Sequence, residues 1–393
     1  MVYLNNAATS WPKPPQVIDA VQACLRDTPA SQFRGGSNIL KKDVEMECRK
    51  ALGQLLEIAE VNRIFFTSGA TESLNTVLAG WDYGEENRSI LITQTEHNSV
   101  LRPLMNLDVL KRRAVKVVTC SANGEVTEAA LQKAVEEEEK EGRRPAALVV
   151  NHCSNVTGFV QNMRMISEFA RNEEISLIVD ASQSAGCLPV QTDTWQADAL
   201  IFTGHKGLMG MQGTGGFYIR GDRSLKPLKY GGTGRNSAQL KYEGDYEYEV
   251  GTQNLPGITA LLAGTEFVLN TGVENIRKKE QSLMAVLYQN LGKLEEIRLY
   301  GDPLTCQGPL LSMNFIGLAA SDAAYILDRV YGITVRAGLH CSPLIHQAMG
   351  TGKNGTVRLS VSYFTEKEDI LQFIHAAEQI AASCEKGRKN KTP

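Results

Sequence analysis

The segments Asp180-Ala181-Ser182-Gln183 and Thr203-Gly204-His205-Lys206 decide the fold class of this chain. Each follows a short apolar run that contains β-branched residues, a pattern typical of buried parallel strands. Ligands of open α/β sheets lie beyond the carboxyl ends of the strands, so we expect Asp180 and Lys206 to face one crevice. Such a pair suits pyridoxal phosphate, because a lysine can hold the aldehyde as a Schiff base and an aspartate can keep the pyridine nitrogen protonated. On these residues alone, a surface lysine and a helix-capping aspartate remain the alternative.

Further apolar runs extend this pattern into a large sheet. Runs near residues 64, 90, 115, 147, 177, 199 and 217 alternate with helical segments. This alternation predicts a seven-stranded, mostly parallel sheet that is covered on both faces.

The remainder of the chain predicts a smaller α+β domain. One long amphipathic helical stretch at 258–294 precedes strands at 310–315 and 356–360 and helices at 319–331 and 366–383. We expect a large domain over 16–255 and a small domain that combines 1–15 with 256–393. Loops are expected at 33–37 and 241–249.

Composition and charge exclude several classes of protein. The 393 residues are 42% hydrophobic, which suffices for a large core. The net charge is −3 and the one basic block is a short tail at 386–391, so we expect no nucleic-acid partner. No apolar stretch approaches the roughly 20 residues that span a bilayer, and the first residues show no secretory pattern. We therefore expect a cytoplasmic protein without membrane association. The eight cysteines include no C-x-x-C pair, so neither a metal site nor a disulfide framework is expected.

Three more motifs follow predicted strands. Ser68-Gly69-Ala70-Thr71-Glu72 opens a helix, where backbone N–H groups and hydroxyls can hold a phosphate, although an ordinary capped turn has the same residues. Glu96-His97-Asn98-Ser99 and His152-Cys153-Ser154-Asn155 end two further strands. In this order, together with the first two segments, these motifs resemble the class V aminotransferase-like group of pyridoxal-phosphate enzymes.

The resemblance extends from about residue 3 to 370 and implies a fold-type I pyridoxal-phosphate transferase. It implies that His97 lies flat on the cofactor ring, that Asp180 and Gln183 bind its nitrogen and oxygen, and that Asn155 is near the ring oxygen and the substrate carboxylate. The implied cofactor contacts are Ala70, Thr71, His97, Asn155, Asp180, Gln183, Thr203, His205, Lys206 and Thr252. In the family, the threonine at the position of Thr252 reaches the phosphate of the partner subunit, which implies a homodimer with shared sites.

The segment Arg336-Ala337-Gly338-Leu339-His340-Cys341-Ser342-Pro343 resembles the nucleophile loop of cysteine desulfurases, with Pro343 one place earlier than in many members. Thiolates are the nucleophiles of cysteine chemistry, and a cysteine beside His340 on a glycine-flanked loop can be exposed and activated. A buried structural cysteine is the common alternative. The resemblance also assigns Arg358 to the substrate α-carboxylate, which a guanidinium binds through two N–H donors. At Asn5 the chain departs from the family's usual acid.

These motifs predict a cysteine desulfurase that converts L-cysteine to L-alanine and leaves the sulfur on Cys341 as a persulfide. Lys206, Cys341 and His97 are the predicted catalytic residues, and the sulfur acceptor is unknown. A selenocysteine lyase would use the same residues. A β-lyase acting on cystine or cysteine conjugates, or an aminotransferase, would leave Cys341 idle. A scaffold without cofactor is the last alternative, which the intact Lys206, Asp180 and His97 argue against.

Overall fold

The structure is a computed structural model that describes residues 1–27, 43–232, 238, 240–241, 248–302, 304, 307–352 and 354–389. The loop predicted at 33–37 and most of the loop predicted at 241–249 lie outside the described residues.

The described residues form strands and helices that alternate through most of the chain. The strands are β1 (Val2–Tyr3), β2 (Ile64–Thr67), β3 (Arg88–Thr93), β4 (Val115–Val118), β5 (Arg144–Asn151), β6 (Ser176–Asp180), β7 (Ala199–Thr203), β8 (Gly215–Ile219), β9 (Ile297–Tyr300), β10 (Leu310–Phe315), β11 (Ile333–Thr334), β12 (Arg336–Gly338) and β13 (Thr356–Ser360). The helices are α1 (Pro15–Arg26), α2 (Val44–Leu56), α3 (Ala70–Gly80), α4 (Asn98–Asn106), α5 (Glu128–Lys140), α6 (Met163–Asn172), α7 (Thr192–Trp195), α8 (Leu255–Thr271), α9 (Val273–Leu291), α10 (Ala320–Tyr331), α11 (Ile345–Ala348) and α12 (Lys367–Lys389).

The large sheet has the order β2-β8-β7-β6-β5-β3-β4 and confirms the predicted seven strands. Strands β3 to β7 run parallel, while β8 is antiparallel to both of its neighbours. Hydrophobic clusters cover both faces, which explains why these strands are apolar without alternation. Asp180 pairs in register with Asn151 on one side and Ile201 on the other. Polar residues that follow these strands therefore meet at one edge of the sheet.

A second sheet has the antiparallel order β12-β13-β10-β9. A separate hydrophobic cluster lies beneath it and includes Leu4, Leu311, Leu359 and Phe373. Leu4 belongs to an N-terminal arm, and the preceding β1 pairs in parallel with β11. The N-terminal residues thus pack with the C-terminal part of the chain.

The long helical stretch predicted at 258–294 consists of two helices. It divides into α8 and α9, because Gly272 between them has φ +84°. That left-handed conformation is accessible to glycine at little cost and commonly ends a helix. The short strands β9 and β12 were not predicted. No helix in the described ranges combines the length and the apolar character that crossing a membrane requires.

Candidate active site

A cavity of about 430 Å³ opens at the carboxyl ends of the central parallel strands. Its wall combines residues from the large sheet, the N-terminal arm and the second sheet. The predicted site residues that line it are Ala70, Thr71, His97, Asn155, Asp180, Gln183, Thr203, His205, Lys206 and Arg358. Thr252 and Cys341 are not among the lining residues. The structure therefore brings most of the predicted site together around one space.

Lys206 and Asp180 face this cavity from neighbouring strand ends. Burial lowers the pKa of the Lys206 amine to about 8, against the opposing effect of Asp180. No hydrogen bond or ion pair to Lys206 Nζ is found within the described part of the chain. Asp180 is 4% exposed, and its Oδ1 accepts hydrogen bonds from the Ser182 N–H at 2.9 Å and from the Ser182 hydroxyl. The site thus holds an amine that is partly deprotonated at neutral pH beside a fixed carboxylate.

His97 caps the N-terminus of α4 with its imidazole. Its Nδ1 accepts a hydrogen bond from the Ser99 N–H at 3.0 Å. Burial, with the nearby Lys206 charge, lowers the pKa of His97 below its ordinary value. The ring is therefore neutral at pH 7, and because Nδ1 is an acceptor, the proton is on Nε2.

The start of α3 has the features that suit an anion. Gly69 has φ +146°, which other residues rarely adopt, and it turns the chain from β2 into the helix. The first N–H groups of a helix have no partner within the helix and favour negative charge. Thr203 and His205 line the cavity with this turn, while Glu72 is directed to Ser68 and Lys229. These donors suit a phosphate group.

Gln183 is hydrogen-bonded to the N-terminal arm. Its Nε2 donates to the Ala7 carbonyl at 3.0 Å. One of its two amide N–H groups is thus held by the arm, a contact that the sequence did not reveal, and the other remains for a ring oxygen.

Arg358 is 1% exposed and lies on β13. Its Nη1 donates to the Asn155 carbonyl at 2.8 Å and its Nη2 to Asn5 Oδ1 at 3.4 Å, while its Nε has no partner. Because Asn5 is uncharged, no carboxylate in the described residues pairs with this guanidinium, and burial lowers its pKa to about 9. A buried cation without a counter-ion suits a substrate carboxylate.

Cys341 lies outside the cavity lining but contacts it through Arg336. Arg336 Nη2 donates to Cys341 Sγ at 3.1 Å, and Arg336 lines the cavity. The expected activation by His340 is not seen. The His340 Nε2 lies 3.0 Å from Thr356 Oγ1, and burial lowers the pKa of His340 to about 2, so its ring is neutral. Arg336 belongs to the predicted nucleophile motif, but no role was predicted for it.

Asn155 lies at the cavity wall, yet its side chain is occupied. Its Nδ2 donates to the His340 carbonyl at 2.7 Å, and its Oδ1 accepts from the Ser342 hydroxyl at 2.7 Å. The second Nδ2 hydrogen remains for the ring oxygen or the substrate carboxylate that the resemblance implied. In the described residues, no group of histidine, cysteine and acidic side chains is arranged to hold a metal ion.

These elements define a class of protein. The chain matches the family model described as aminotransferase class-V over residues 2–373. The chain belongs to this family, whose enzymes depend on pyridoxal phosphate.

Individual relatives show which enzymes of this family the chain is similar to. A probable cysteine desulfurase of Methanothermobacter thermautotrophicus is 30% identical over 97% of this chain and 94% of its own length. Another, of Pyrococcus abyssi, is 31% identical over 98% of this chain and 95% of its own. Among solved structures, the apo cysteine desulfurase of Thermococcus onnurineus has a TM-score of 0.85 at 27% identity and covers 97% of this chain and 95% of that one.

The residues present fit pyridoxal phosphate. Lys206 Nζ is without a partner in the described residues, Asp180 is held rigidly, and the α3 turn supplies donors for a phosphate. This donor set matches the aldehyde, the ring nitrogen and the phosphate of the cofactor.

Proposed function

We propose that this chain is a cysteine desulfurase. It converts L-cysteine and the Cys341 thiol into L-alanine and a Cys341 persulfide. The observation that carries the proposal is the contact of Cys341 Sγ with Arg336, which lines the same cavity as Lys206. The names of the full-length relatives support it.

Each side of the cofactor has a proposed partner in this chain. Asp180 would hold the proton on the ring nitrogen, and His97 would contact the ring. Thr203, His205 and the first turn of α3 would bind the phosphate. When bound, pyridoxal phosphate supplies a sink for the electrons released at the substrate carbon.

Each step of the reaction is then assigned to a residue of this chain. Arg358 binds the α-carboxylate, and the unprotonated Lys206 amine takes the Cα proton. The Cys341 thiolate attacks the substrate sulfur. The Cβ–S bond breaks, its electron pair remains on Cβ, and Cβ takes a proton. Lys206 returns a proton to Cα before alanine leaves. The sulfur stays on Cys341 and passes to an acceptor that is not identified.

We also propose the division into a large domain at 16–255 and a small domain formed by 1–15 and 256–393. The separate hydrophobic clusters under the two sheets support two domains, while Ile258, Leu261 and Val268 of α8 pack in the cluster of the large sheet and favour a boundary after α8. A homodimer would bring Thr252, which does not line the cavity of its own chain, to a partner's phosphate site. We also propose a cytoplasmic location, because the spacing of the eight cysteines predicts no disulfide framework.

The test is a product assay with a nucleophile variant. The purified holoenzyme is incubated with L-cysteine and a reductant, and alanine, sulfide and pyruvate are measured together. We expect alanine and sulfide without pyruvate, and loss of alanine in Cys341→Ala. Undiminished breakdown in Cys341→Ala, with pyruvate as product, would show a β-lyase. Loss with cysteine but survival with selenocysteine would show a lyase for selenium.

A further inference from the structure

The nucleophile loop is held by a single side chain on both sides of Cys341. Asn155 Nδ2 donates to the carbonyl of residue 340, and Ser342 Oγ donates to Asn155 Oδ1, each at 2.7 Å. Asn155 is 4% exposed and Ser342 is fully buried. Both polar atoms of one buried amide are therefore committed to the two residues that flank the nucleophile.

The backbone of this loop requires such support. His340 has φ +51° and Cys341 has φ +62°. Two consecutive residues other than glycine in the left-handed region are strained, and this strain persists only where surrounding contacts over-determine the conformation. The Asn98 N–H adds a third contact, at 2.6 Å to the Cys341 carbonyl. All three hydrogen bonds join the loop to residues that follow strands of the large sheet.

We propose that Asn155 and Ser342 are positioning residues that fix the Cys341 sulfur for attack. The proposal rests on the proposed role of Cys341 as sulfur acceptor. One of the two Nδ2 hydrogens of Asn155 remains beyond these bonds, so the amide can hold the loop and still face the cavity. Arg358, whose Nε has no partner, is the proposed ligand of the α-carboxylate.

The first test uses three serine variants of the holoenzyme. Ser342→Ala removes the hydroxyl, Ser342→Thr keeps it, and Ser362→Ala removes a buried serine hydroxyl that lies outside the loop. We expect Ser342→Ala to lower kcat for alanine formation by about ten- to a hundredfold, the effect of a misplaced attacking atom. KM for L-cysteine should change little, Ser342→Thr should restore much of kcat, and Ser362→Ala should match the parent.

The second measurement needs no turnover. The rate at which iodoacetamide alkylates Cys341 is followed without substrate, by mass spectrometry of the loop peptide. Release of the loop in Ser342→Ala should raise this rate, whereas Ser362→Ala should leave it unchanged. An unchanged kcat and alkylation rate in Ser342→Ala would overturn the proposal.

Asn155→Ala provides an independent variant if Ser342→Ala does not fold. If Asn155 positions the loop, Asn155→Ala should lower kcat with little change in KM. If Asn155 mainly binds the substrate carboxylate, the variant should mainly raise KM. A dominant KM effect would therefore refute the inference. Failure of the proposed function is separable, because it would appear as full alanine formation by Cys341→Ala.

Discussion

Replacing Glu96 with glutamine is expected to stabilise the folded chain, and increasingly so as the pH rises from 5 to 8. Glu96 is fully buried next to the catalytic edge of the large sheet. Its Oε1 accepts from Thr93 Oγ1 at 2.5 Å and from the Asn151 N–H at 2.7 Å, whereas its Oε2 has no partner. Burial raises the pKa of this carboxyl from 4.5 to about 8, and the charge of Asp180 adds to the effect. Glutamine has the shape of the protonated acid and should occupy the same place.

The magnitude follows from proton linkage. Between pH 4.5 and about 8 the folded chain binds a proton at Glu96 that the unfolded chain has lost. Folding stability therefore falls as the pH rises through this window, by about 1.4 kcal/mol per pH unit. Glu96→Gln removes this cost, so its gain in the free energy of unfolding should be below about 1 kcal/mol at pH 5 and about 3 kcal/mol at pH 7.

The assay is urea denaturation of the apo-protein at pH 5, 6, 7 and 8, at one protein concentration because association would shift the midpoint. Glu168→Gln, which changes an exposed carboxylate of α6, is the matched control. Its difference from the parent should stay nearly constant with pH. A Glu96→Gln effect that is equally flat, or a loss of stability at pH 7, would show that Glu96 is ionised in the folded state and would refute the reasoning.

Three further predictions concern the cofactor site. The apo-protein should capture added pyridoxal phosphate, trapped with borohydride, increasingly up to about pH 8, and the amount should then level off. The reason is the Lys206 pKa of about 8, at which about one-tenth of the amine is unprotonated at pH 7. A continued rise above pH 9 would contradict this, and Lys206→Ala should trap nothing. Asp180→Asn should fold normally but lose at least about a hundredfold in rate, since an amide cannot hold the ring proton and about 1.4 kcal/mol of barrier corresponds to each factor of ten. Thr252→Ala should weaken cofactor retention, and mixing it with Lys206→Ala subunits should restore activity in hybrid dimers; no recovery on mixing would argue against shared sites.

The sequence predicted site residues best where each one lies at the end of its own apolar strand. Lys206 and Asp180 end buried apolar strands, and strand order in a parallel sheet brings such ends to one edge, so both positions could be predicted. The contacts of Arg336 with Cys341 and of Asn155 with Ser342 could not. Asn155 and Ser342 are 187 residues apart, and their hydrogen bond depends on how the two sheets dock. The break at Gly272 was missed because the apolar pattern continues across it.

The proposed chemistry has two halves, cofactor binding at Lys206 and sulfur transfer to Cys341, and they depend on different parts of the fold. Lys206 and Asp180 follow adjacent central strands, whose position depends on the large hydrophobic core. Cys341 belongs to the other sheet and reaches the site through hydrogen bonds from Asn98 and Asn155.

Net hydrogen-bond contributions are about 1 kcal/mol each, much less than the burial of a core. Changes that loosen the docking of the second sheet should therefore impair sulfur transfer to Cys341 before they impair cofactor binding at Lys206. The N-terminal arm lies between the two, because the Ser10 N–H donates to the His205 carbonyl at 2.9 Å and the Ala7 N–H donates to Ser360 Oγ at 2.8 Å. The arm thus contacts both the lysine's strand end and the arginine's strand, so its loss should affect both halves.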